Sequence, residues 1–247
     1  MTPRIRCRAV FLDAGGVIVL PDRRLVADAL ARIGLAINPD DVPRAHYRAV
    51  RALDRATATS ATASATSATA TPATATPGAT RHDYARALLP QCGIVPGRAA
   101  EALTVWNELA DRRRSGVVLW REPTPRADDA IHALRRAGLI IVIVTNSNGH
   151  GEQNLRDSGF GGVPVIDSTV VGVAKPDPRI FEIALARAGA GPAETVHVGD
   201  SLANDVAGAR ATGITPIHFD PARACRATDH RHVRTLAGVW HHIRPCG

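Results

Sequence analysis

Residues Leu139 to Val144, LIIVIV, form an unbroken apolar run dominated by β-branched side chains. A strand wetted on one face alternates apolar and polar residues, so a run without alternation suits a parallel strand covered on both faces. Its flanks repeat along the chain. A helical pattern from Pro125 to Ala137 stops at Gly138, and the run ends in the polar turn Thr145-Asn146-Ser147-Asn148-Gly149. A helix from Gly151 to Ser158 and a strand from Val163 to Ile166 follow, then a helix opened by Asp177-Pro178, an N-cap followed by a first-turn proline. Thr195 to Val198 reads as a strand ending in Gly199-Asp200, Ala203 to Thr212 as a helix, Ile214 to Phe219 as a strand and Thr235 to His242 as a terminal helix. Strands and helices alternating in this way predict a doubly wound α/β fold with a parallel sheet, which binds ligands beyond the carboxyl ends of its strands.

The front of the chain supplies one more such strand. In CRAVFLDAGGVIV, Cys7 to Val19, the apolar run Ala9 to Leu12 delivers Asp13 to its carboxyl end and breaks at Gly15 and Gly16. The stretch between this strand and Trp120 has a different pattern. Helical spacing is expected over Pro21–Gly34, Asp40–Arg55, Arg81–Leu89 and Gly97–Arg114, consistent with an appended helical unit. Residues 56–80 contain only Ala, Thr, Ser, Pro and Gly and are expected to form a disordered or loosely ordered insertion, since they bury too little to offset their ordering entropy.

Composition narrows the function. The 30 basic residues include a single lysine, Lys175. Lysine and arginine differ in shape, hydration and donor geometry, so a compact ammonium retained once is a candidate for a specific chemical role. The net charge of +7 is spread over the chain and aromatics are only 4%, which gives no focused nucleic-acid surface. Cysteines 7, 92, 225 and 246 have no CxxC spacing, so neither a zinc site nor a disulfide framework is expected. A reducing, cytoplasmic setting follows as the expectation. Arg4, Arg6 and Arg8 precede an apolar stretch, but Asp13 splits it, so no secretory signal is expected. No apolar run approaches the ~20 residues needed to span a membrane.

Asp13, Thr145 and Asp200 all fall at strand carboxyl ends. Carboxylates gathered there repel one another, and a hard divalent cation with oxygen ligands relieves the repulsion. Asp13, Asp200 and Asp205 are therefore candidate ligands for Mg²⁺, which keeps waters and takes substrate phosphate. With Lys175 as counter-charge and Thr145 as a hydrogen-bond donor, the set suits phosphoryl transfer.

The sequence resembles the haloacid dehalogenase (HAD) superfamily of hydrolases, in the branch with a helical cap inserted after the first core strand. VFLDAGGVI is similar to the first motif of that superfamily, IVTNSNG to the second, VVGVAKPDPRIFEIAL to the third and HVGDSLANDVAGARATG to the fourth. The resemblance implies a Rossmann-like core over residues 1–19 and 120–247, and a cap over 20–119. It implies a Mg²⁺-dependent phosphatase acting on a small phosphorylated metabolite, with Asp13 as nucleophile in an aspartyl-phosphate mechanism. The metal would be held by the Asp13 carboxylate, the backbone carbonyl of Gly15 and Asp200, with Asp205 supporting. Thr145 and Lys175 would act in catalysis, and Thr145, Asn146 and Lys175 would bind substrate.

One position departs from that pattern. Phosphatases of the superfamily read DxDGT or DxDGV, the second Asp being the acid and base of the two half-reactions; here that position is Gly15. Losing a positioned acid/base typically reduces rate about 10²–10⁴-fold. A substrate with a good leaving group, an acid from the cap (Asp22, His46 or His82) or a catalytically impaired binding protein would each accommodate Gly15. The dehalogenase branch needs no leaving-group acid, but resembles DxYGT at the first motif and lacks the Gly-Asp pair of the fourth, which this chain has as Gly199-Asp200.

Overall fold

The computed structural model describes residues 3–65, 81–111 and 117–246. The chain divides into two compact units, Met1–Leu20 with Arg121–Gly247, and Pro21–Trp120. In chain order the strands are β1 (Ile5–Cys7), β2 (Ala9–Leu12), β3 (Val19–Pro21), β4 (Trp120–Pro123), β5 (Ile140–Thr145), β6 (Val165–Asp167), β7 (Thr195–Gly199), β8 (Thr215–Phe219), β9 (Arg231–Val233) and β10 (Ile243–Pro245). The helices are α1 (Arg23–Ala31), α2 (Val42–Ala65), α3 (Arg81–Gln91), α4 (Ala99–Asp111), α5 (Ala127–Arg136), α6 (Gly151–Asp157), α7 (Ser168–Val171), α8 (Pro178–Ala188) and α9 (Ala207–Ala211).

The first unit is built on a parallel sheet of order β6-β5-β2-β7-β8-β9. Counted from β2 this is the 3-2-1-4-5-6 order of the Rossmann fold, whose strand order reverses beside the first strand. β2 lies between β5 and β7, with Leu12 paired to Ile143 on one side and Val198 on the other. That register brings Asp13, Thr145 and Asp200 to one edge of the sheet. Ala9, Phe11, Val142 and Val144 pack with Ile180, Phe181 and Ala184 of α8 and Ala209 of α9 in one buried cluster. The alternate residues Val10, Leu12, Ile141 and Ile143 are buried as well, as a strand covered on both faces requires. α5 packs against β5 with the stripe Ala127, Ala130, Ile131 and Leu134.

Helices α1–α4 make up the second unit around Leu30, Val42, Ala49, Leu88, Leu89, Leu103, Trp106 and Leu109. α2 runs to Ala65, ten residues beyond Arg55. The expected loose insertion is therefore helical over 56–65, while 66–80 lies outside the described residues. Alanine is the strongest helix former, and two threonines satisfy their hydroxyls on the helix itself: Thr57 Oγ1 donates to Leu53 O at 3.1 Å and Thr59 Oγ1 to Arg55 O at 3.0 Å. The helix continues here through the propensity of its alanines.

Among the described residues, the short strands β1, β3, β4, β9 and β10 escape the sequence pattern. β9 is a three-residue edge strand, Arg-His-Val, and β1 pairs only with β10. The expected terminal helix is instead a 3₁₀ segment, Leu236–His241, interrupted by Gly238 and followed by β10. An interior glycine weakens a helix by about 1 kcal/mol relative to alanine.

The α8–α9 contact depends on a missing side chain. A β-carbon at Gly208 would lie 2.6 Å from Cε2 of the buried Phe181 and 3.1 Å from Cα of Pro176. Gly208→Ala is expected to destabilise the fold by about 1–3 kcal/mol through overpacking, read as a lowered urea midpoint with unchanged slope. An unchanged midpoint would contradict this packing.

Candidate active site

β2 ends at Leu12, and the Asp13 N–H still donates to Val198 O at 2.9 Å, so Asp13 is the first side chain beyond the ladder. Its Oδ1 accepts from the Ala14 N–H at 2.7 Å and lies 2.8 Å from Lys175 Nζ. Among the described residues, Oδ2 of Asp13 has no partner and is the oxygen open to a ligand. The chain then turns tightly, Gly16 with φ 76° donating to Val19 O at 2.8 Å. Positive φ is a conformation glycine adopts without strain. Gly15 precedes this turn and contributes backbone alone.

Lys175 is 2% exposed, and its ammonium bridges Asp13 Oδ1 and Asp205 Oδ1, the latter at 2.7 Å. Asn146 fixes the backbone that carries it: Asn146 Nδ2 donates to Lys175 O at 2.9 Å and Lys175 N–H donates to Asn146 Oδ1 at 2.8 Å. This reciprocal pair gives Asn146 a positioning contact, where the sequence suggested contact with substrate. Thr145, immediately before it, is buried at the end of β5. The following turn is held from β6. Asp167 accepts from Gly149 N–H, Gly151 N–H and Thr169 N–H at 3.2, 2.9 and 3.0 Å.

Asp205 lies where the sequence predicts a plain helix, but Leu202–Val206 forms a π-helical turn before α9. The wider turn brings Asp205 back under β7, where its Oδ2 accepts from Ser201 N–H at 3.1 Å and its Oδ1 meets His197 Nε2 at 2.9 Å as well as Lys175. Such turns are frequent at functional sites. A β-carbon at Gly199 would overlap the Asp205 carboxyl group, so glycine is required there. With three protein donors on it, Asp205 is a support for Lys175 and the β7 loop.

His197, on β7, was not singled out by the sequence pattern. It is fully buried, edge-on to Phe181 with ring centroids 5.0 Å apart. Burial holds its pKa below the ordinary histidine value, against the pull of Asp205, so it donates from Nε2 as a neutral ring. The three candidate cap acids lie within the second unit. Asp22 caps α1, accepting from Arg24 and Leu25 N–H; His46 is buried with Nδ1 2.7 Å from Tyr84 Oη; His82 is exposed.

Asp13, Asp200 and Asp205 offer carboxylate oxygens that all lie within 4.8 Å of one another. Three carboxylates against one ammonium leave two uncompensated negative charges in a buried setting when all are ionised. The Asp13 carboxyl is raised to about 7, burial being the largest cause; Lys175 pulls it down, while Asp205 and Asp200 add to the rise. Burial also acts against ionised Asp205, but Lys175 and His197 hold it below the usual carboxylate range. On Lys175, burial opposes the charge while Asp13 and Asp205 raise its pKa, leaving it an ammonium. An all-oxygen donor set with this excess charge fits a hard divalent cation.

The sequence model for haloacid dehalogenase-like hydrolases matches residues 7–213, most of the chain. The chain belongs to that family. Among relatives of this chain, the phosphoserine phosphatase of Thermus thermophilus is 32% identical over 150 residues, 58% of this chain and 55% of that protein. Haloacid dehalogenase-like hydrolase domain-containing protein 3 of Bos taurus is 32% identical over 154 residues, 59% of this chain and 61% of its own. The chain thus matches little more than half the length of these relatives. In three dimensions it resembles the HAD-hydrolase YfnB from Bacillus subtilis, crystallised with magnesium, with TM-score 0.63, 21% identity and coverage of 96% and 98% of the two chains. At that identity the likeness shows the fold.

Because the folded-state pKa of Asp13 is raised from 3.8 to about 7, the metal-free protein keeps it protonated below that pH. Any stability from protonated Asp13 is complete below about 4 and is lost as pH rises through about 7. A divalent cation requires the carboxylate, so its affinity is expected to rise up to tenfold per pH unit below about 7 and to level off above. Calorimetric titration with Mg²⁺ across this range checks it; affinity independent of pH would contradict the raised Asp13 pKa.

Proposed function

We propose that this chain is a Mg²⁺-dependent phosphatase acting on a small phosphorylated metabolite, and that residues 21–120 are its cap. The observation that carries the reading is the buried Lys175 ammonium shared by Asp13 and Asp205, with Asp200 just beyond the end of the neighbouring strand β7. The name of the phosphoserine phosphatase relative supports the same class. Asp13, Asp200 and the Gly15 carbonyl would hold Mg²⁺, with Asp205 supporting, and the ion would lower the charge repulsion between an incoming phosphate and the carboxylates.

The remaining chemistry belongs to the chain. An Asp13 carboxylate oxygen forms a bond to phosphorus while the bond from phosphorus to the leaving oxygen breaks, giving an aspartyl-phosphate. Water then attacks that phosphorus, releasing phosphate and restoring the carboxylate. Lys175 keeps Asp13 oriented, and its charge offsets that of the transferring group. Thr145 donates to a phosphoryl oxygen. Asn146 acts through Lys175 by holding its backbone. Such catalysis is mainly positioning and electrostatic stabilisation.

Gly15 shapes the choice of substrate. With no carboxyl at this position, the leaving oxygen departs without an acid from the β2 loop, which favours acyl phosphates, phosphoanhydrides or esters of acidic phenols. Gly15 also favours a second reading, a protein that binds a phosphate-like ligand with Mg²⁺ and does not turn over.

A panel of phosphorylated compounds that spans leaving-group acidity tests both. Phosphate release is expected with Mg²⁺, strongest for acidic leaving groups, abolished by EDTA and by Asp13→Asn. Gly15→Asp is expected to raise turnover of alkyl phosphates by about 10²–10⁴-fold. If the unsubstituted protein releases nothing above Asp13→Asn from any compound yet binds a phosphate analogue with Mg²⁺, the second reading replaces the first. Lys175→Met should abolish turnover and destabilise the fold by about 3–5 kcal/mol, because it leaves buried carboxylates without a counter-charge; retained activity in that variant would contradict the role given to Lys175.

A further inference from the structure

On β8, β9 and the loop between them lies a second group of ligand-type side chains, unlike the first in chemistry. His218 on β8 is directly paired with His232 on β9, and the loop between the strands returns Cys225 and His230 to them. One donor atom from each of the four residues lies within 4.8 Å of the others. The ring centroids of His218, His230 and His232 are 4.5–5.4 Å apart, and Cys225 Sγ is 3.7 Å from His230 Nε2. Four donors on a tetrahedral zinc ion, with bonds of about 2.0–2.3 Å, stand about 3.5 Å from one another.

The hydrogen bonds around the group leave two of its nitrogens, one on His218 and one on His232, without partners among the described residues. His218 is 4% exposed; its Nε2 lies 3.1 Å from Asp200 O, so that nitrogen carries the proton and donates, and Nδ1 faces inward as a lone pair. Nδ1 of His218 and Nε2 of His232 are buried and have no hydrogen-bond partner among the described residues. His230 Nδ1 lies 2.7 Å from Asp229 Oδ1, and Asp229 is itself held by Arg210 at 2.8 Å, so His230 donates outward and turns Nε2 toward Cys225. Asp220 accepts from the N–H groups of Ala224 and Cys225 at 3.0 and 2.9 Å and fixes the backbone bearing the thiol. Buried nitrogens left unpaired are expensive. Histidines whose outer nitrogens donate to a carbonyl and a carboxylate while their inner ones converge have the outer-layer arrangement of metal ligands.

We propose that His218, Cys225, His230 and His232 bind a zinc ion. A Cys-His₃ set is borderline-soft and four-coordinate, which selects zinc over the hard cation suited to the Asp13 group. Binding places the Cys225 thiol proton in solvent and joins the 220–230 loop to β8 and β9, a structural rather than catalytic task.

The test uses the full chain in excess Mg²⁺, with Co²⁺ as a spectroscopic probe and Zn²⁺ as competitor. One Co²⁺ per chain is expected, with the strong visible bands of tetrahedral cobalt and a thiolate-to-cobalt charge-transfer band, all abolished by one equivalent of Zn²⁺. Cys225→Ser is expected to lose the charge-transfer band, Asp229→Asn to weaken Zn²⁺ affinity about 10–100-fold, and Asp13→Asn to retain the full spectrum. Zn²⁺ is also expected to protect Cys225 from alkylation in the unsubstituted protein, a readout that does not depend on a variant folding. Weak octahedral cobalt bands without charge transfer, or unprotected alkylation of Cys225 at saturating Zn²⁺, would overturn the proposal.

Discussion

Lys175 carries an ammonium into a nearly dry position and holds it between two carboxylates, at 2.8 Å from Asp13 and 2.7 Å from Asp205. Neither partner is stable there alone. An ammonium or carboxylate out of water incurs a penalty of several kcal/mol that only close opposite charge and hydrogen bonds offset. The bridge therefore ties three chain segments together: the turn after β2, the π-helical turn after β7, and the segment before α8 that Asn146 clamps. His197 completes the arrangement from inside the sheet by donating to the same Asp205 oxygen. The ammonium still leaves a negative excess, and that excess is what a divalent cation and a phosphate group would resolve.

Much of this was legible in the sequence because a parallel sheet converts strand ends into neighbours. Asp13, Thr145 and Asp200 each follow an apolar run, and Lys175 stands out as the one lysine. The supports were harder to read. His197 sits inside a strand of otherwise apolar character, and only the curvature of the π-helical turn brings Asp205 beneath it. Asp167 holds the 149–151 turn through backbone donors that no side-chain pattern announces. The ten residues of α2 beyond Arg55 are helical through alanine propensity, a term that a burial argument omits.

The Cys225 group went unread for a different reason. The cysteines form no CxxC pair, whereas the spacing His218-x₆-Cys225-x₄-His230-x-His232 contains the signal in histidines. β9 was missed with it, since a three-residue strand of Arg, His and Val has no apolar run. The two clusters share one strand edge and separate the hard from the borderline donors. They meet at Asp200, whose carboxyl belongs to the acidic group and whose carbonyl accepts from His218.

The account depends most on Asp13 acting as the nucleophile. Turnover of p-nitrophenyl phosphate with Mg²⁺, quenched in borohydride and followed by peptide mass spectrometry, examines that step directly. An aspartyl-phosphate would be reduced to homoserine at position 13, and the account predicts that conversion in the Asp13 peptide alone. Sustained phosphate release with an unmodified Asp13 peptide, or with the modification at another carboxylate, would contradict it.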